Sequence, residues 1–313
     1  MNDIIKYDLN MNTVKDNNKI LLIHLGGLGD MCLSESTFLS LSEHFGKNIE
    51  ALGYTRFLKL FEEYFAQINR IESVKWLHLF SDYPLDIIYK QIIFIGKDRE
   101  GILRQRWRKF SREPVIFIEM YPENQFLSDS SSQIINENKD LPAAMSNESK
   151  PDIIHVEDYQ LAQLGQYGIK AIKKQIKPAL SRRVVLYPET GFQKRKWPLE
   201  NFIELYELLK AKDMEVCILE PLGMNLDIRN KVSLQELPDV ASFFKEGGVF
   251  FSNDSGMAHL AGINGLFTIT IFIDFEPLMW HPRGRFHAFK KDRDIINIPV
   301  IENKIIEITA QYS

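Results

Sequence analysis

The sequence predicts an α/β protein made of two doubly wound units with parallel sheets. Three observations carry this. Short apolar runs alternate with stretches whose apolar residues recur at helical spacing, the pattern of strands joined by crossover helices. Turns rich in glycine, aspartate and serine stand where apolar runs give way to helical stretches. The chain has 313 residues, 45% hydrophobic and 26% charged, enough for two domains of about 150 residues each.

Taken in order, "KILLIHL" (Lys19–Leu25) reads as a strand, "GGLGD" as a tight turn, and Met31, Phe38, Leu41 and Phe45 as the apolar face of a helix. "NIEAL" follows as a second strand, with a helical stretch around Phe57–Phe65 after it. "DIIYKQIIFIG" and "PVIFIEM" read as two further buried strands. Between them "KDREGILRQRWRKFSR" holds seven Lys or Arg residues in 16 positions. "SDSSSQIINENKDLPAAMSNESK" is polar and nearly free of aromatics, as expected of a surface loop or partly disordered insert. In the second half "RRVVLYP", "MEVCILE", "GVFFS" and "FTITIFI" read as strands; Phe202, Leu205 and Leu209, then "SLQELPDVASFF", then "SGMAHLAGI" supply the helices. The join is expected in "KKQIKPALSRR" (Lys173–Arg183), a basic, proline-containing stretch between a helix and a strand.

Composition removes several functional classes. A net charge of -4 gives no global attraction for nucleic acid, and no interleaving of aromatic and basic residues marks a single-strand binder. No apolar segment approaches the roughly 20 residues of a membrane span, and the first 18 residues lack a secretory h-region, so the expected location is cytoplasmic. Cys32 and Cys217 lie in separate apolar patterns, which predicts buried thiols rather than a disulfide or metal site.

Ligands of open parallel sheets bind beyond the carboxyl ends of the strands, so three strand-to-helix junctions are candidates. In "HLGGLGD", Gly26, Gly27 and Gly29 admit close backbone approach, and Asp30 opens a helix. The turn matches neither the dinucleotide fingerprint nor a P-loop, and Asp30 as a plain helix cap is the simpler alternative. In "YPETGFQKRKWP", Lys194, Arg195 and Lys196 precede a helix start, either as a solvated face or as a phosphate contact. In "NDSGMAHLAG", Asp254, Ser255 and Gly256 would present backbone N–H groups of a helix N-terminus to an anion; His259, one turn on, has a core role or a ligand role.

Together these junctions resemble the glycosyltransferases of family 9, the ADP-heptose:lipopolysaccharide heptosyltransferases. "ILLIHLGGLGDMCL" matches that family's strand, Gly-x-x-Gly-Asp turn and helix; "YPETGFQKRKWP" loosely matches its Pro-Gly, basic, Trp-Pro segment; "NDSGMAHLAG" closely matches its Asn-Asp-Ser/Thr-Gly signature; "HVEDYQLAQLGQYGI" is similar to its segment ahead of the second domain. The resemblance runs over roughly residues 19–285. It departs where His24 replaces a frequent Arg, Glu189 a Gly, Arg195 a Lys, and "FIDFEP" the familiar Phe-Gly-Pro-Thr.

The resemblance implies two Rossmann-like domains facing across a cleft, the GT-B arrangement: an acceptor-binding domain over 1–172, a linker over 173–182 and a nucleotide-sugar-binding domain over 183–313, with room for the last helix to pack back on the first domain. It implies inverting sugar transfer without metal or other cofactor, from a nucleotide sugar such as ADP-heptose to a lipopolysaccharide-core or related anionic glycolipid or glycan. Asp30 is then the expected base, with Gly26, Gly27 and Gly29 at the acceptor or closing loop. Thr190, Gly191, Arg195, Lys196, Asp254, Ser255, Gly256 and His259 are the expected donor-binding set. The seven-cation stretch is either a solvated surface or, through Arg104, Arg106, Arg108 and Lys109, a contact with an anionic glycolipid at the inner face of the membrane. "DRD" (Asp292–Asp294) looks like a metal-binding Asp-x-Asp but stands in a charged tail and is read as chance. Two competing readings keep a similar build: a catalytically silent nucleotide-sugar or carbohydrate-binding module, and a sugar-nucleotide epimerase, which would need a further carboxylate and histidine set.

Overall fold

A computed structural model of the chain describes residues 15–82, 87–122, 153–190 and 196–312. The polar insert, Gly191 and Arg195 lie outside the described residues. The first unit runs β1 (Lys15–His24), α1 (Leu28–Leu33), α2 (Glu35–Phe45), β2 (Ile49–Gly53), α3 (Thr55–Leu58), β3 (Gln67–Arg70), α4 (Leu77–Phe80), β4 (Ile87–Gly96), α5 (Ile102–Trp107), β5 (Ile116–Glu119) and α6 (Val156–Leu164). The second runs β6 (Val184–Tyr187), α7 (Leu199–Ala211), β7 (Val216–Leu219), β8 (Lys231–Val232), α8 (Leu237–Phe244), β9 (Val249–Asn253), α9 (Gly256–Ile263), β10 (Phe267–Phe272), α10 (Pro277–Trp280), β11 (Phe286–Lys290) and α11 (Ile298–Thr309).

Two parallel sheets result, ordered β3-β2-β1-β4-β5 and β11-β10-β9-β6-β7-β8. Each order reverses once, between β1 and β4 in the first sheet and between β6 and β9 in the second. Such reversals open a crevice at the strands' carboxyl ends. The strands are apolar runs because both faces of each sheet are covered. In β1, Ile20 and Leu22 enter one core cluster while Leu21 and Ile23 enter another, as the two-residue period of a strand requires. The stretch predicted to join the domains carries no helix or strand and lies between α6 and β6.

Two corrections to the sequence reading arise here. The last helix, α11, does not return to the first unit: Ile301, Ile305 and Ile308 are buried in the core cluster of the second sheet, beside Val249, Phe251 and Leu209. Its stripe at spacing 301, 305, 308 fits the apolar face that β6, β9 and β10 leave open. The stretch Phe57–Phe65 is helical only through α3, continuing as a 3-10 segment over Lys59–Tyr64 that is broken at Phe61.

The two units are joined by buried polar contacts. Arg283, in the loop before β11, donates from Nη1 to Glu35 Oε2 on α2 at 2.6 Å and from Nη2 to Ser36 Oγ at 3.0 Å. Its Nε lies 2.6 Å from Glu157 Oε1 on α6, at ion-pair distance though without hydrogen-bond geometry. Lys174 completes the cluster, 2.7 Å from Glu35 Oε1. Beside it the rings of His155, His281 and Phe286 stack with centroids 4.1 and 3.9 Å apart.

Candidate active site

The crevices of both sheets open into one cleft of about 1140 Å³, whose walls include Leu25–Asp30 after β1, Lys97 after β4, Glu189 and Thr190 after β6, and Asp254–Met257 after β9. The three junctions picked out in the sequence therefore share one cavity.

On the first wall, Asp30 sits in the first turn of α1 and its Oδ2 accepts the Gly27 N–H at 2.9 Å. Burial raises its pKa above the usual carboxylate range, and the Gly27 hydrogen bond lowers it in part. The turn is held from behind by His24. Its Nδ1 accepts the Gly26 N–H at 3.2 Å, which leaves the proton on Nε2 to meet Ser34 Oγ at 3.1 Å; Ser34 Oγ in turn donates to the Asp30 carbonyl at 2.8 Å. Burial pushes the His24 pKa down to about 3, so the ring is neutral and serves this chain of bonds. A Cβ on Gly26 would lie 2.6 Å from Asp30 Cβ and 2.8 Å from His24 Cε1, which explains the glycine. The sequence reading registered His24 only as a departure from a family pattern; a polar residue ending an apolar strand was the available signal.

On the second wall, Ser255 rather than Asp254 caps α9, its side chain accepting from Ala258 N. The N–H groups of Gly256 and Met257 meet no described acceptor, and both residues line the cleft. The Asp254 N–H donates to Ile271 O at 2.9 Å. Thr190 is buried and its hydroxyl donates to Asp254 O at 2.7 Å, tying the loop after β6 to the loop after β9. Asn253, whose role the sequence reading missed, makes the same connection more firmly. Its Nδ2 donates to Pro188 O at 3.1 Å and its Oδ1 accepts the Trp197 N–H at 2.7 Å. Lys196 forms an ion pair with Glu189, so its charge is already engaged within the loop.

The walls touch at their base. A Cβ built on Gly256 would lie 2.9 Å from Leu28 Cβ and 3.2 Å from Gly29 N; one on Gly29 would lie 3.0 Å from His259 Cδ2. Gly29 thus permits contact between α1 and α9 rather than forming an open loop. His259 is buried, burial and the neighbouring His155 and His281 lower its pKa to about 3, and its Nδ1 finds no partner among the described residues. The "FIDFEP" departure places Phe275 in the cleft, and Trp280 packs against Tyr121 of the first unit with centroids 5.1 Å apart.

Other sequence candidates fall elsewhere. The cations of α5 are not among the residues lining the cleft. Asp292 and Asp294 follow β11; Asp294 Oδ2 accepts the Lys290 N–H at 2.6 Å, and among the described residues no group of three His, Cys, Asp or Glu is placed to hold a metal ion. Cys32 is buried, Cys217 partly so, and both are free thiols. Among the described residues no helix is long and apolar enough to cross a membrane.

Comparison with known proteins bears on the fold. Residues 148–288 match the model of glycosyltransferase family 9 (heptosyltransferase). A family 9 glycosyl transferase from Veillonella parvula superposes with a TM-score of 0.64 at 13% identity, over 95% of this chain and 97% of that one. The E. coli heptosyltransferase WaaC with ADP gives 0.61 at 13% identity, over 93% and 99%. E. coli ADP-heptose lps heptosyltransferase II gives 0.59 at 11%, over 94% and 99%. No curated protein matches the chain by sequence. The two-sheet architecture is the GT-B fold, and within it the segment 148–288 is similar to the glycosyltransferase family 9 (heptosyltransferase) model.

Proposed function

We propose that the protein moves a sugar, heptose from ADP-heptose, onto a hydroxyl of a lipopolysaccharide-core or related glycan, with inversion and without a metal. The observation that carries the reading is the pairing in one cleft of a carboxylate from the first unit with a free helix N-terminus from the second. Asp30 takes the proton of the acceptor hydroxyl as its oxygen bonds to the anomeric carbon, while the bond from that carbon to the diphosphate breaks. A carboxylate pKa raised by burial makes a stronger base than an exposed one. The departing diphosphate gathers charge against the Gly256 and Met257 N–H groups, with Thr190 and Lys196 beside it and Asp254, Ser255 and His259 orienting donor oxygens; Gly191 and Arg195 complete the donor set that the sequence resemblance implies. The partly apolar cleft limits water around the reacting centre. In this reading the enzyme is cytoplasmic and meets its acceptor at the inner membrane face.

A second reading, a silent binding module of the same fold, draws on Glu189. Its carboxylate occupies the loop that would cradle the diphosphate, and it holds Lys196 and the Thr190 N–H. Release of ADP from ADP-heptose separates the two. The unaltered protein should release ADP with acceptor present, and Asp30→Asn should lower that rate by about 10²–10⁴-fold while leaving ADP-heptose protection against thermal unfolding intact. Equal rates for both proteins would refute the base assignment; protection without any turnover would favour the silent module.

A further inference from the structure

A second surface of the first unit has no place in the chemistry above. Val74, Leu77 and Phe80 are exposed at 71%, 45% and 37%. They recur every third residue along a 3-10 turn (Val74–Trp76) and α4, so their side chains line up in one row. The row borders an apolar groove of about 330 Å³, floored by Trp76 and Ile71 and sharing Leu25 with the main cleft. Single exposed apolar residues are ordinary; three in a row beside an apolar groove mark an interaction face.

The charge around this face says what it meets. α5 packs on α4: Trp107 Nε1 donates to Leu79 O at 2.8 Å, and Phe80 meets the Trp107 ring edge-on. Arg106 reaches Asp82, just past the row, at 3.1 Å. Lys75 lies within the row, and Arg108 and Lys109 follow α5; all three are exposed and form no ion pair with a described residue. Glu72 and Asp82 are the acidic residues at the border, and Glu72 lies 3.8 Å from Arg70. An apolar row that carries Lys75, with two further unpaired cations directly after the Trp107 that packs on it, is complementary to an anionic bilayer, where side chains enter the acyl boundary and cations remain among headgroups.

We infer that the Val74–Leu77–Phe80 row, with Lys75, Arg108 and Lys109 around it, docks the protein on the surface of an anionic phospholipid bilayer, holding the cleft beside the membrane through the shared Leu25 wall. That docking serves glycosyl transfer rests on the proposed function; the docking itself does not. The full chain is sedimented with vesicles of equal parts phosphatidylglycerol and phosphatidylethanolamine, and with vesicles of phosphatidylcholine alone. Binding to the first and at least tenfold weaker binding to the second is expected. Leu77→Ser with Phe80→Ser should weaken binding to anionic vesicles at least tenfold while leaving ADP release with a soluble acceptor unchanged. Arg108→Gln with Lys109→Gln should weaken it by about 25-fold, about fivefold per cation near the surface. In a Leu77→Trp protein the emission should shift to the blue on adding anionic vesicles. Absence of vesicle binding, binding insensitive to the two serines, or a dimer that the two serines dissolve would each overturn the docking. Loss of ADP release with vesicle binding intact would count against the proposed function instead.

Discussion

Arg283 is the residue whose loss should be felt most. Replacing it with Met keeps most of the side-chain volume and removes the charge. The buried carboxylates of Glu35 and Glu157 then lose the guanidinium; Lys174 remains with Glu35 Oε1, and Lys173, 3.5 Å away, with Glu157 Oε2. Breaking a buried pair by removing one partner costs about 3–5 kcal/mol, because the charge left behind stays out of water with its compensation reduced. Unfolding entropy near 2.1 cal/mol/K per residue gives about 0.66 kcal/mol/K over 313 residues, so the melting temperature should fall by about 5–8 °C. Adding Glu35→Gln and Glu157→Gln to Arg283→Met should return part of the loss, since amides need no counter-charge there. Denaturant titration of the single, double and triple variants measures the coupling, expected at about 1–3 kcal/mol. A single variant within 1 kcal/mol of the parent, or strictly additive losses, would refute the view that this cluster holds the two units together.

Two further outcomes follow from the cleft. Gly256→Ala should cost about 1–3 kcal/mol, because the new methyl meets Leu28 Cβ and the Gly29 backbone, whereas Gly27→Ala would approach only Asp30 Oδ2 at 3.8 Å and should be nearly silent; equal melting temperatures for the pair would discount the α1–α9 contact. Acid should destabilise the fold through His24 and His259, whose folded pKa values of about 3 lie below the unfolded value near 6.5. Their contribution is fully present above pH 6.5 and is lost as pH falls toward 3. At pH 5 it has diminished by about 2 kcal/mol per histidine, at about 1.36 kcal/mol per pH unit, while Asp30, with a raised pKa, acts in the opposite sense. Unfolding free energies at pH 7 and pH 5, for the parent and for His24→Gln, test the sign; an equal fall in both proteins would remove His24 from the account.

The features legible along the chain are local ones. Strand and helix alternation, the placement of turns and the class of the fold were all legible, since each depends on the side-chain period and backbone preference of a few neighbouring residues. The strands it overlooked, β3, β8 and β11, are all sheet edges; β8 has two residues, and none shows the continuous apolar run that covering on both faces imposes. The signature around Asn253 named the right loop, yet not that Asn253 clamps Pro188 and Trp197.

The packing of distant segments settles which junctions share a cavity, that Gly29 and Gly256 are glycines because two helices touch there, that Arg283 reaches the carboxylates of α2 and α6, and that α11 closes the second core rather than the first. Each joins residues well apart in the chain, in several cases by more than two hundred positions. Such a pairing is set by which faces remain uncovered once the sheets have formed, and a periodicity read along one segment contains no record of its distant partner.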